Sequence, residues 1–182
     1  DVLQCLFYVE FATLNGQSVH PGYTGGTDLK VTGYTDTVVA SSGALWDTNL
    51  YQFMYRGIED FWGHVWQSVD GVNILDHQAY VADNANQYAS NVFVAPYKKL
   101  SYKNATSDGY VKDMGFDPNN PSAMFPIAVA GGANSTTYYA DNYYQGVGQK
   151  IAIFGGSRSN GADAGPSSWT LSHASSASTA TI

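Results

Sequence analysis

Apolar residues recur at helical spacing at the start of the chain. Val2, Leu3, Leu6, Phe7, Val9 and Phe11 fit a helical period better than strict alternation, which predicts a helix over residues 1–13. Asn15-Gly16 stops it. His20-Pro21-Gly22 and Thr24-Gly25-Gly26-Thr27 read as loops, Val38-Val39-Ala40 as a short strand, and Ser41-Ser42-Gly43 as a turn. Asn73–Ala79 and Gln87–Tyr97 read as strands around a polar turn at Asp83-Asn84-Ala85-Asn86. Thr106–Pro126, rich in Asp, Asn and Pro, reads as loop. Pro126–Val129 reads as a buried strand ended by Gly131-Gly132. Val147, Ile151 and Ile153 share one parity and predict an apolar strand face before Phe154.

From Gly155 to Ile182 the pattern changes. Only Trp169, Leu171 and Ile182 are large and apolar there, and only Arg158 and Asp163 are charged. Such composition ordinarily marks a flexible linker. A linker, however, would leave the preceding strand without a partner. The expectation is therefore an ordered surface whose side chains are free to vary, which suggests recognition rather than catalysis. No solenoid repeat is visible, and the whole of 1–182 reads as one α+β domain: short antiparallel strands, one or two helices and long ordered loops. Because the chain starts at Asp1 in amphipathic sequence, it is expected to be the C-terminal module of a longer protein.

Charge narrows the partners. The net charge of −7 argues against nucleic acid and anionic membranes, which call for a positive surface. No signal peptide or membrane span is visible. The single Cys5, in an apolar run, excludes an intrachain disulfide and reads as a buried spectator.

Two segments carry a family resemblance. Tyr55-Arg-Gly-Ile-Glu-Asp-Phe-Trp-Gly-His-Val-Trp-Gln67 resembles the Arg-Gly and Trp-Gly-Asn-Val-Trp segment of formylglycine-generating-enzyme-like C-type lectin folds. Phe154-Gly-Gly-Ser-Arg-Ser-Asn-Gly-Ala-Asp-Ala-Gly165 resembles that fold's closing segment, and Pro166–Ile182 its Asn/Ser-rich ending. With 135–145, this is similar to the C-terminal domains of phage and archaeal-virus proteins diversified by retroelements. The resemblance covers roughly 50–182 and implies a C-type lectin fold with a variable region at about 155–182. In that family template adenines are mutated, so Asn codons become hypervariable. Ser159, Asn160, Asp163, Thr170, Ser172, His173, Ala177, Thr179 and Thr181 fall where the ending usually has Asn. Ser168 falls where it often has Tyr, and Arg158 where it has Trp. All of these residue types can arise from a mutated AAC codon. Trp169 cannot, and is fixed or differently templated. The family's final Gly-x-Arg is missing after Ile182.

Within this set Trp169, Arg158 and His173 are the expected anchors, since Trp and Arg dominate binding hot spots. Tyr138, Tyr139, Tyr143 and Tyr144 are read as scaffold or as direct contacts. Phe61, Trp62 and Trp66 read as a packing cluster, with a sugar-stacking platform as the alternative. Arg56 and Glu59 are expected to form a buried pair.

Catalytic and metal chemistry find little purchase. His20, His64, His77 and His173 lie far apart with no zinc-ligand spacing. Asp70, Asp76, Asp83, Asp113 and Asp117 could supply oxygen ligands for calcium, but the triplets by which calcium-dependent lectins hold sugar do not occur. The copper-binding cysteine pair of formylglycine-generating enzymes is absent, as is a Gly-x-Ser-x-Gly elbow. The expectation is therefore no enzyme and no cofactor. The chain would be a ligand- or receptor-binding module on a virion surface or tail. It would recognise a protein or glycan on a host, as part of a parent that can oligomerise. The alternatives are a carbohydrate-binding C-type lectin domain and an invariant structural tail component.

Overall fold

The computed structural model describes residues 2–20, 22–26, 28–30, 33, 44–46, 53–134 and 136–176. The strand expected at Val38-Val39-Ala40, the turn after it, and Ala177, Thr179 and Thr181 lie outside the described residues.

Helix α1 (Val2–Phe11) forms where the apolar period predicts it. Only Glu10 in it is charged. It turns Gln4, Phe7 and Tyr8 inward and leaves Val2, Leu6 and Val9 exposed. The helix ends at Ala12, whose φ of 50° leaves helical space. Asn15 then caps a single 3-10 turn at Gly16–Ser18 by accepting from the Ser18 amide.

The strands are β1 (Ala44–Trp46), β2 (Phe53–Tyr55), β3 (Ile58–Glu59), β4 (Gln67–Leu75), β5 (Gln78–Val81) and β6 (Lys98–Lys99). They continue with β7 (Gly109–Met114), β8 (Pro126–Ala130), β9 (Asn142–Gln145), β10 (Gln149–Phe154) and β11 (Trp169–Leu171). The first three form a small antiparallel sheet. The others form one sheet in the order β6-β5-β4-β10-β11-β9-β7-β8. Its pairings are antiparallel except β11 with β9, which is parallel. The described residues are thus mainly β with one α-helix, in line with the α+β expectation at that level.

Aromatic rings hold the helix to the sheets. Phe7 meets Trp62 at 4.9 Å and Tyr55 at 5.3 Å between ring centroids, both edge-on. Phe61 and Phe154 extend the cluster, and Trp169 joins through Phe154 at 5.1 Å. Each fully buried aromatic contributes about 1.5–3 kcal/mol of burial. Phe61 and Trp62 belong to this core as expected, whereas Trp66 is half-buried and not part of it.

Several local expectations are corrected. The hairpin turn is at Asp76-His77, where both residues adopt positive φ and Leu75 pairs with Gln78, the geometry of a two-residue loop. Residues 87–97 are not a strand. Two side chains satisfy their backbone instead: Asn73 donates to the carbonyls of Ala89 and Val92, and Tyr97 Oη bonds both backbone groups of Ala89. The expected loop at Thr106–Pro126 contains β7, whose one fully buried side chain is Val111. In β10 the core parity is Ala152 and Phe154, so Ile151 and Ile153 point to the opposite face, and Val147 lies outside the strand, exposed. Arg56 does not pair with Glu59. It reaches Glu10 of α1 on the surface, while Glu59 accepts from the Gly33 amide. Cys5 is half-buried, with Sγ 3.4 Å from Met124 Sδ.

Candidate recognition face

The ending 155–176 divides into three stretches with different fates. Residues 157–163 form a loop on the surface. Its backbone is pinned from several directions: the Arg158 amide donates to His64 O, Gly26 donates to Arg158 O, and the Gly161 amide donates to Thr24 O. Gln17 Nε2 donates to the carbonyls of Gly161 and Ala164. His64, one end of this frame, is itself held by Asp60 Oδ2 at 3.0 Å and by the Lys30 amide at Nε2. Within the loop Asn160 Oδ1 accepts from the Ser157 amide and hydroxyl, so its side chain is part of the frame. Ser159 is exposed, and Arg158 and Asp163 are half-exposed.

Residues 164–171 run inside. Gly156, at φ +80°, allows the close approach: a Cβ there would lie 2.4 Å from Ala164 Cβ. Asp141 Oδ2 accepts from the Ser167 amide at 2.6 Å, and Gln4 of α1 donates to Pro166 O at 2.6 Å and to Ser167 Oγ at 3.0 Å. Tyr8 Oη bonds the same Ser167 hydroxyl. Burial pushes the carboxyl of Asp141 well above the usual carboxylate range, and the backbone hydrogen bond offsets this only in part. Burial, then the Asp141 charge, raises the phenol of Tyr8.

Three expected surface residues are therefore corrected. Ser168, Trp169 and Thr170 are 1%, 3% and 3% exposed. Trp169 is a core residue, its ring 4.9 Å from Phe125, and it cannot anchor a partner in this arrangement. The reason is the strand period: Trp169 and Leu171 face the core that Tyr143, Phe154 and Ala152 also face.

The opposite face of the same strands carries the polar chemistry. Pairing places Thr170 beside Tyr144 and Ile153, Ile153 beside Ser68, and Tyr110 beside Asn142. This face is closed over Thr170 and Ile153. It opens at Tyr110, Tyr144, Ser172 and His173. Tyr110 Oη donates to Asp163 Oδ1 at 2.7 Å, which ties the 157–163 loop to the sheet and raises the Tyr110 phenol. Burial, then the charges of Asp163 and Asp108, raises that of Tyr144. Thr170 Oγ1 lies 2.9 Å from Ser172 Oγ, whose neighbour His173 is exposed.

Contacts on this face link Asp163 with Tyr110 and Tyr144, and Thr170 with Ser172. Arg158 and Ser159 lie in the loop that Asp163 ties to it, and His173 follows Ser172 at the other end of β10, where its carbonyl accepts from the Ile151 amide. The structure sends Tyr143 into the core, where Oη donates to Ala105 O at 3.1 Å and burial raises its phenol. Tyr139 is half-buried against Tyr8, and Tyr138 is 64% exposed on the loop before it. Tyr110 and Asp108 were missed. The alternation Tyr110, Lys112 against Val111 was the available signal, hidden among Asp and Asn.

Among the described residues no three His, Cys, Asp or Glu side chains group as a metal site. Three of the five acids considered for calcium have other work. Asp76 accepts from the Gly148 amide, Asp83 meets Lys98, and Asp117 accepts from the Asn119 and Ser101 amides, which hold its carboxyl below the usual range. No described helix is long and apolar enough to cross a membrane. No protein-family model matches the chain, and neither does any curated protein.

Proposed function

We propose that the chain is a ligand- or receptor-binding module of C-type lectin fold, diversified by a retroelement and carried on a viral tail or surface protein. Its partner is a protein or glycan on a host surface, and it performs no catalysis. One observation carries this reading. The ending largely separates framework from display: the backbone of 157–163 is hydrogen-bonded to three distant segments while Ser159 is exposed and Arg158 and Asp163 are half-exposed, Asp163 also bonding Tyr110. Side chains on such a frame change with little effect on stability. Arg158, Ser159, Asp163, Ser172 and His173, flanked by Tyr110 and Tyr144, form the proposed surface. Ala177, Thr179 and Thr181 remain part of the proposed variable set by family resemblance alone.

Sequencing sibling genomes tests this reading. Adenine-limited variation concentrated at Arg158, Ser159, Asp163, Ser172 and His173, with Trp169, Leu171 and Asp141 constant, is expected. Variation spread evenly over the chain would refute it.

A further inference from the structure

Beside the recognition face, β4 breaks its register with β10. Ile151 pairs with Asn73 but Ala152 pairs with Val69, so Asp70, Gly71 and Val72 bulge out of the ladder. The bulge forms one wall of a half-open cleft of about 360 Å³, a size within the small-ligand range. Asp70 supplies one wall, Tyr88 and Ser90 of the following loop a second, and Ser175 of the ending a third.

The cleft is built rather than incidental. Gly71 sits at φ +76°, and a Cβ there would lie 2.5 Å from Tyr88 Cε1, so the Tyr88 ring rests directly on the bulge backbone. Its exposure of 40% leaves ring surface available to a ligand. Asn73 and Tyr97 spend their side-chain hydrogen bonds on the backbone at Ala89, Asn91 and Val92, which fixes the loop behind Tyr88. Among the described residues the side chains of Asp70, Tyr88, Ser90 and Ser175 hold no such bond.

We infer that this cleft binds a neutral saccharide without a metal. One carboxylate can accept from two adjacent sugar hydroxyls, and three hydroxyl groups can both donate and accept. An aromatic ring matches the apolar C–H face of a pyranose. A quaternary ammonium ligand calls for a cage of rings, and here one ring is accessible. The inference does not depend on retroelement diversification, because Asp70, Tyr88 and Ser90 lie outside the ending.

The test is an amide-resolved NMR titration of the full chain in EDTA. The probes are methyl α-glucoside, methyl α-mannoside, methyl β-galactoside and methyl β-N-acetylglucosaminide, with choline as the cationic control. At least one glycoside is expected to shift the amides of Asp70, Gly71 and Ser90, with a dissociation constant on the order of 1 mM. Tyr88→Ala is expected to weaken it about tenfold, and Asp70→Asn, at an exposed position that keeps the fold, to weaken it similarly. The inference is overturned if no glycoside shifts these amides, if choline shifts them in place of the sugars, or if neither variant changes the response.

Discussion

Residues 157–163 and 164–171 are both built largely of small and polar residues, the second adding Trp169 and Leu171, yet one stretch displays most of its side chains and the other is packed away. In the first, most of the bonds that hold the chain are to its backbone, and the side chains of Gln17, Asn160 and the Tyr110–Asp163 pair complete the frame. In the second, Ser167 and Pro166 are gripped by Gln4, Tyr8 and Asp141, and Trp169 and Leu171 fill the core. Burial of the small and polar residues of the second stretch thus follows from the groups elsewhere that need partners, together with the two apolar side chains that continue it into the core.

The largest test of this contrast is Trp169→Ala. Removing a ring packed on Phe125 and Phe154 is expected to cost about 3–5 kcal/mol in urea unfolding. A loss below about 1 kcal/mol would place Trp169 with the display residues instead.

Next comes Asp141→Asn. The folded state raises the carboxyl's pKa, so its favourable contribution is complete below the unfolded value of about 3.9 and is lost as pH rises through the folded value. Asn can still accept from the Ser167 amide and never ionises. Urea midpoints of the parent are expected to fall from about pH 4 to about pH 8, with the variant's falling less and ending higher. Equal slopes for the two proteins would contradict an uncompensated buried carboxylate.

The smallest effect belongs to the loop. Ser159→Tyr is expected to change stability by less than about 0.5 kcal/mol, read as melting temperature, because the side chain meets solvent. A loss comparable to that of Trp169→Ala would erase the distinction between the two stretches.

Parts of this were legible beforehand. The period of α1, the position of β8 and the Phe61-Trp62 core all rest on local patterns, whereas the expected burial of β8 does not hold: it is an edge strand with Ile127 exposed. Also legible was an ordered rather than linker-like course for 155–176, because β10 needed a neighbour, and β11 is that neighbour. The burial of 164–171 was not legible. It depends on Gln4 and Tyr8 near the other end of the chain, and on Asp141, whose need for a donor leaves no periodic trace. The loop at 87–97 was misread for a similar reason: Asn73 and Tyr97 replace a ladder with side-chain bonds that alternation cannot reveal.

The position of β11 has a consequence for how the polypeptide is made. It is the last described strand, yet it lies in the middle of its sheet and, among the described residues, is the strand that joins β10 to β9. Until Leu171 leaves the ribosome, the strands on either side remain two separate ribbons, each with a raw edge open to self-association. A chain that stops before Trp169 is therefore expected to leave the facing edges of β10 and β9 unpaired and prone to association.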